Sequence, residues 1–131
     1  MKPEFVFGSG SLSEQALNYI MENKILIFNA ENIESQEMLK LAIYHADKSF
    51  KQGLNFANDY PLEIMLYLSG SKQIDNAKKI FGVNAETKKF IIVSEDKSIL
   101  SRLKLKADNA LQEKITDPEI FEKMVLLKLK K

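Results

Sequence analysis

Cysteine and tryptophan are absent from this chain of 131 residues, and histidine occurs once. Without cysteine there is no disulfide framework, no zinc ribbon and no cysteine nucleophile, and a single histidine cannot build a multi-histidine metal site. The five glycines and three prolines are too few for a disordered or fibrous protein. These absences favour a globular fold with a hydrophobic core, and we expect no metal and no cofactor.

Long apolar runs are lacking as well. No window approaches the roughly 18 uncharged apolar residues of a membrane span, and Glu4 lies where a signal peptide would begin its apolar region. We therefore expect a cytoplasmic protein. Its 45% hydrophobic and 28% charged residues are ordinary proportions, and a chain of this length can bury one core. A single domain over residues 1–131 is predicted.

The charge is unevenly distributed, although the formal net charge is only +1. Residues 1–37 contain two lysines and six glutamates, whereas residues 38–131 contain 17 lysines and arginines against 12 acids. A near-neutral protein with one basic side can attract a polyanion. The more common interpretation of such charges is a solvated surface.

Alternating helix and strand signals predict an α/β fold with a small mixed sheet and several packed helices. Residues 4–7 are typical of a strand, and Ser11 with Glu14 has the spacing of a helix capping box. Residues 24–28 form a second, β-branched strand pattern. The pattern does not determine how these strands pair.

The clearest helix is predicted to start after residues 32–35 and to end at Gly53. Its apolar residues recur at helical spacing: Met38, Leu39, Ala42, Ile43, Ala46 and Phe50. Residues 62–68 follow a helix-start signal at Asp59 and Pro61, but they are apolar on nearly every side. Periodicity alone therefore allows either a strand or a helix there.

The second half continues the alternation. Further predicted elements are a helix over 74–81, a strand over 89–93, a helix after 94–96, a helix over 116–124 and a strand over 125–130. Residues 104–115 give no clear signal.

The most informative segment is residues 42–82. It contains, in order, His45-Ala46, Gly53 with Asn55, an apolar stretch ending in Ser69-Gly70, and Gln73-Ile74. This order resembles the small accessory subunit of the KEOPS complex, the family of the PRPK-binding protein. The resemblance is clear over residues 45–93, and it favours a helix for residues 62–68.

The resemblance implies a non-catalytic subunit that docks on the small atypical kinase/ATPase subunit of KEOPS. In archaeal forms of the family, this subunit binds tRNA by its single-stranded CCA end. The other subunits of the complex, which would be indirect partners, transfer a threonylcarbamoyl group to the adenosine beside the anticodon. No membrane is implied.

Two cationic helix faces within residues 40–79 are predicted to bind RNA. The first carries Lys40, Tyr44, Lys48 and Lys51; the second carries Lys72, Gln73, Asn76 and Lys79. Lysines neutralise phosphates, and a tyrosine ring can stack on an unpaired base. Lys72 replaces an arginine common in the family, so it attracts phosphate without bidentate contacts. Asn55 either holds its turn or lines the RNA site.

The family's kinase-facing end corresponds to Met124, Leu127 and Leu129 near the C-terminus. Apolar residues in such a segment can form the buried part of an interface. A terminal strand that buries them in the protein's own sheet is the alternative.

The signals for catalysis are weak. Gly8-Ser9-Gly10 lies between a strand and a helix, but the further residues of a dinucleotide or P-loop motif do not follow. His45 lacks a catalytic partner in the sequence and is interpreted as a packing histidine. We expect no enzyme. The alternatives are an adaptor that binds only the kinase subunit and, more remotely, a small nucleotide-binding enzyme.

Overall fold

The computed structural model describes residues 4–115 of the chain. Its elements are β1 Phe5–Ser9, α1 Glu14–Glu22, β2 Ile27–Asn29, a 3-10 turn Ala30–Asn32, α2 Gln36–Gln52, α3 Tyr60–Ser69, α4 Ile74–Phe81, β3 Lys89–Val93, α5 Ile99–Arg102, β4 Lys106–Ala107 and α6 Asn109–Ile115. The predicted helix 116–124, strand 125–130 and partner-binding residues Met124, Leu127 and Leu129 lie outside the described residues.

The four strands form one sheet in the order β2-β3-β1-β4. β3 is antiparallel to both of its neighbours, with Ile91 opposite Phe7 on β1 and opposite Phe28 on β2. The α/β class is confirmed, but the expectation of a mixed sheet is corrected, because every strand pair among residues 4–115 is antiparallel. β1 and β2 run in the same direction, yet they do not pair because β3 lies between them.

Helices cover both faces of this sheet, so its central strands are buried on both sides. One core cluster joins Phe7, Phe28 and Ile91 to residues of α2, α3, α4 and α6. The other joins Phe90 and Ile92 to residues of α1 and α5. Phe28, Phe90, Ile91 and Ile92 are all 0% exposed. This burial explains why these strands have continuous apolar sequences instead of alternating ones.

The first helix starts later than its capping signal predicted. Ser13 is the N-cap, and its hydroxyl accepts a hydrogen bond from the Ala16 N–H at 3.1 Å. The prediction of Ser11 as the cap is wrong because β1 extends to Ser9, which leaves Ser11 in the connection. The Ser11 hydroxyl instead accepts from the Lys88 ammonium at 2.7 Å. The strand predicted over 24–28 is also displaced, since β2 covers Ile27–Asn29.

The predicted helices around the recognisable segment are confirmed. α2 is capped by Ser35 and ends at Gly53, which has φ 68°. α3 follows Asp59 and ends at Gly70, which has φ 67°. α3 is apolar on nearly every side because it packs against two other helices, α2 and α4. None of the helices within residues 4–115 combines the length and the apolar character needed to cross a membrane.

Candidate nucleic-acid interface

The loop between α2 and α3 is held in place by a buried carboxylate. Glu63 is 0% exposed, and its Oε1 accepts hydrogen bonds from the backbone N–H of Phe56 at 3.0 Å and of Ala57 at 2.9 Å. Its Oε2 accepts from the Phe56 N–H at 3.2 Å. Hydrogen bonds to a charged acceptor are stronger than neutral ones. Glu63 therefore fixes the loop backbone and, through it, the position of the Phe56 side chain.

Asn55 also contributes to this loop. Its side-chain amide donates to the Ala57 carbonyl oxygen at 2.7 Å, and the residue is half-buried. Such local side-chain-to-backbone bonds stabilise turns. Of the two roles considered for Asn55, the turn contact is present, whereas the RNA contact stays a prediction.

A cavity of about 230 Å³ lies between this loop and the end of α3. It is lined by Phe56, Leu66, Tyr67, Gly70, Ser71 and Lys72. The Lys72 ammonium lies 4.9 Å from the centre of the Phe56 ring, within the range of a cation–π interaction. Although it is aromatic, Phe56 is 53% exposed. The cavity thus combines aromatic rings with a cation.

A row of rings leads from α2 to the same cavity. His45 stacks on Tyr67 with ring centroids 5.4 Å apart and an interplanar angle of 24°. Tyr44 meets His45 edge-on at 5.5 Å, and Tyr44 is 59% exposed. The Tyr67 hydroxyl is hydrogen-bonded to that of Ser49. His45 is exposed and contacts both tyrosine rings, and it connects the predicted Tyr44 to Tyr67 at the cavity.

The second cationic face forms an open depression at the start of α4. Its volume is about 550 Å³, and its lining residues are Lys72, Gln73, Ile74, Asp75, Asn76 and Lys79. The structure therefore brings the predicted Lys72, Gln73 and Lys79 together, and Lys72 borders both cavities. The Asp75 carboxylate also lines this depression and would repel an anion bound in it. The Gln73 backbone N–H is already engaged, because it donates to the Ser71 hydroxyl at 3.1 Å.

The three lysines predicted on α2 lie outside the two cavities, unlike Lys72 and Lys79. Lys48 and Lys51 are exposed, whereas Lys40 forms an ion pair with Glu37 at 3.3 Å that partly compensates its charge. None of the three lines either cavity. An RNA-binding role for these three lysines stays a prediction.

Phe56 and Tyr67 were not among the site residues predicted from the sequence. Phe56 lies in the loop before α3 and Tyr67 lies on α3, so the turn at residues 53–59 and the packing of α3 bring them together. An aromatic residue inside a Gly-Asn turn was the one available signal, since turn residues are normally small or polar.

The alternative site at Gly8-Ser9-Gly10 is packed against protein. A Cβ atom at Gly8 would lie 2.6 Å from the Leu100 side chain and 3.3 Å from the Lys106 carbonyl oxygen. The glycine permits this close approach of β1 to α5 and β4, as expected of a strand–helix turn. Residues 4–115 also contain no group of three or more acidic or histidine side chains able to hold a metal.

The geometry is that of a small α/β protein in which aromatic rings, lysines and a loop held by a buried carboxylate lie on one surface. The chain belongs to the kinase binding protein CGI-121 family, whose model matches residues 6–128. This match confirms the family resemblance of the sequence and supports binding to a kinase. A search of curated proteins finds no significant match.

Proposed function

We propose that this protein is a non-catalytic cytoplasmic subunit that binds the CCA end of tRNA and docks on the small atypical kinase/ATPase subunit of KEOPS. In this role it supports threonylcarbamoyl-adenosine modification of tRNA by the complex. Membership in a kinase-binding family supports the docking part. The observation that carries the RNA part is the convergence of Phe56, Tyr67 and Lys72 on one cavity.

The cavity favours an unpaired base over a paired one. Stacking of a base on an aromatic side chain contributes about 1–3 kcal/mol and tolerates any base, because each has a π face. Bases within a duplex are already stacked on their neighbours, whereas those of a single strand can enter a cavity. The aromatic walls therefore fit the single-stranded end of an RNA.

Lys72 couples base binding to phosphate binding. Its ammonium now lies over the Phe56 ring, where a cation–π contact contributes about 0.5–1 kcal/mol at an exposed site. A base that stacks on Phe56 takes the place of this ammonium. The displaced Lys72 ammonium then contacts the phosphate of the same nucleotide. Further phosphates along the strand are contacted by the exposed Lys48, Lys51 and Lys79.

The test is fluorescence anisotropy of labelled tRNA with the full chain, comparing intact tRNA with tRNA lacking its CCA end at two salt concentrations. We expect tighter binding to intact tRNA, and affinity that falls as salt rises. Lys72→Glu should abolish the preference for the CCA end. Lys78→Glu is the matched control, because Lys78 is exposed on α4, the helix that follows Lys72, and lines neither cavity. Equal binding of both RNAs would contradict the proposal.

A pure adaptor of the kinase subunit is the second candidate. The family description favours it, and so does the exposure of Leu54 and Phe56, at 67% and 53%, since exposed apolar side chains can anchor a protein interface. This hypothesis predicts retention of the kinase subunit in a pull-down and no binding of either tRNA in the same buffer. Loss of pull-down in Phe56→Ala would place the interface at the loop.

A further inference from the structure

His45 is the only histidine of the chain, and it lies beside Tyr67, one of the walls of the cavity near Phe56. Its imidazole is nearly parallel to the Tyr67 ring, with 24° between the ring planes and 5.4 Å between the centroids. His45 is nevertheless exposed, whereas its neighbour Ala46, on the core side of α2, is 0% exposed. The imidazole therefore extends the aromatic wall of the cavity to the protein surface.

The imidazole of His45 has no acidic partner among the described residues. Within residues 4–115 its contacts are with the rings of Tyr44 and Tyr67, and no carboxylate there forms an ion pair with it. Asp47 is the nearest acid in sequence, but residues two apart on a helix do not face each other. The Asp47 Oδ1 accepts instead from the Tyr60 hydroxyl at 2.7 Å. A proton taken up by His45 would therefore add a positive charge that no described carboxylate cancels.

The helix packed against α2 brings an aromatic ring to His45 and no acid. The titratable side chains of α3 are Tyr60, Glu63 and Tyr67. Tyr67 contacts the imidazole, whereas the Glu63 carboxylate is buried and accepts hydrogen bonds from loop N–H groups. The cations on this side are Lys48, one turn further along α2, and Lys72, beyond the end of α3. Aromatic rings and lysines of this kind suit an incoming polyanion.

Each aromatic wall of the cavity lies against a side chain that is, or can become, a cation. The Lys72 ammonium lies 4.9 Å from the centre of the Phe56 ring, and the His45 imidazole lies 5.4 Å from that of Tyr67. Both distances are within the range of about 6 Å at which a cation is attracted to an aromatic face. Lysine is charged at neutral pH, whereas histidine changes its charge between about pH 5 and 8. One wall therefore has a fixed charge and the other a charge that depends on protonation.

We propose that His45 is an RNA-binding residue and that its imidazole takes up a proton when the single-stranded end enters the cavity, an inference that rests on the proposed function. The RNA phosphates stabilise the charged imidazolium relative to the neutral ring, and the imidazolium lies over Tyr67 as a cation. The complex then holds more protons than its free components, so affinity rises as the pH falls through the histidine range. Above that range the imidazole is neutral in both states, and below it charged in both.

The test is fluorescence anisotropy of the full chain with an unstructured RNA oligonucleotide ending in CCA, measured at about pH 8 and about pH 5.5. We expect the wild type to bind about three to ten times more tightly at the lower pH. The slope of log affinity against log salt should also become steeper by about 0.7, which is the contribution of one further charge on a single strand. A merely structural role of His45 would not produce these two changes together.

Two variants separate the ring of His45 from its charge. His45→Phe keeps a ring against Tyr67 but cannot take up a proton, so it should bind as the wild type does at about pH 8 and show neither change at the lower pH. His45→Arg places a planar, permanently charged group against Tyr67, so it should bind tightly at both pH values. Melting curves would show that both variants are folded.

Wild-type affinity that is the same at both pH values would overturn the role of His45, and so would a pH dependence that persists in His45→Phe. An equal loss of binding at both pH values in folded His45→Phe and His45→Arg would also overturn it. Each of these results leaves the proposed function standing, because the wild type still binds the oligonucleotide. A wild type that binds it at neither pH would contradict the proposed function, and the role of His45 with it.

Discussion

Glu63 shows how a single buried residue can organise a surface site. It lies on α3, has no exposed surface, and accepts hydrogen bonds from backbone N–H groups of the loop between α2 and α3. Its effect on binding would be indirect, through the position of Phe56. In the sequence it is one acid among many near a helix start, where helix-dipole stabilisation is a sufficient explanation. Its role emerges only when the loop folds back over α3.

We predict that Glu63→Gln lowers the free energy of unfolding by about 1–3 kcal/mol, because a neutral amide replaces the charged acceptor of buried N–H groups. Urea denaturation would measure this loss. The variant should also weaken tRNA binding, since the Phe56 loop is no longer fixed. Glu22→Gln, at an exposed position of α1, is the control and should change neither quantity. Unchanged stability of Glu63→Gln would contradict the role assigned to the carboxylate.

Asp108 gives a second prediction at the residue scale, in the dependence of stability on pH. The hydrogen bond from Lys89, and then that from the Leu111 N–H, lowers the pKa of Asp108. A carboxyl whose pKa is lower in the folded state stabilises the fold above its unfolded pKa of about 3.9, and this stabilisation is lost as pH falls through the folded value.

Asp108→Asn should therefore reduce the melting temperature at neutral pH. The difference from the wild type should shrink as the pH falls from about 4 through the lowered pKa of the folded carboxyl, below which the wild-type side chain is neutral in both states. Melting curves across this range would measure it, with the exposed Glu95→Gln as control. If the difference in melting temperature stayed constant with pH, the loss in Asp108→Asn would come from altered packing or hydrogen-bond geometry and not from the charge of the carboxylate.

At the scale of elements, glycines determine where the helices of the candidate site end, but they do so in two ways. Gly53 and Gly70 have positive φ, and a Cβ at either would meet no atom within 4 Å. Gly82 has an ordinary φ of −74°, but a Cβ there would lie 2.5 Å from the Lys78 carbonyl oxygen. Gly53 and Gly70 are therefore favoured by their positive φ. Gly82 is favoured because a side chain there would collide with the backbone of Lys78.

These two requirements predict different responses to alanine. Gly53→Ala should destabilise the protein by about 1–2 kcal/mol through backbone strain alone, and Gly53→Asn by less, because asparagine tolerates this conformation. Gly82→Ala should cost more, or should displace the end of α4, because a backbone atom must move. Urea denaturation of the three variants would establish the order. Equal losses for Gly53→Ala and Gly53→Asn would contradict the strain argument.

For the whole molecule, RNA binding and kinase docking are predicted to use different surfaces. Lys72→Glu should lose tRNA binding and retain the kinase subunit in a pull-down. Substituting Met124, Leu127 and Leu129 by serine should have the opposite effect, because the proposed docking segment is then no longer apolar. Circular dichroism of both variants would show that they are folded. Loss of both activities in either variant would contradict separate surfaces.

Much of the fold could be predicted because local signals agree with the tertiary structure. Ser35 and Gly53 delimit α2 in the sequence as they do in the structure, since capping and positive φ depend on neighbouring residues alone. The pairing of β3 between β1 and β2 was not predictable, because strand order depends on contacts between residues that are far apart in the chain. The start of α1 lies later than predicted for a related reason. Pairing with β3 and β4 extends β1 to Ser9, so the helix begins only after Ser13.

The sequence by itself determined the α/β class, the main helix boundaries, the family, and the clustering of lysines within residues 40–51 and 72–79. Only the tertiary structure decided that Phe56, Tyr67 and Lys72 share one cavity and that Glu63 holds the loop beside it. The physical reason is the range of the forces involved. Propensity and capping act over a few residues, whereas a binding surface is made by side chains that packing brings together from separate elements.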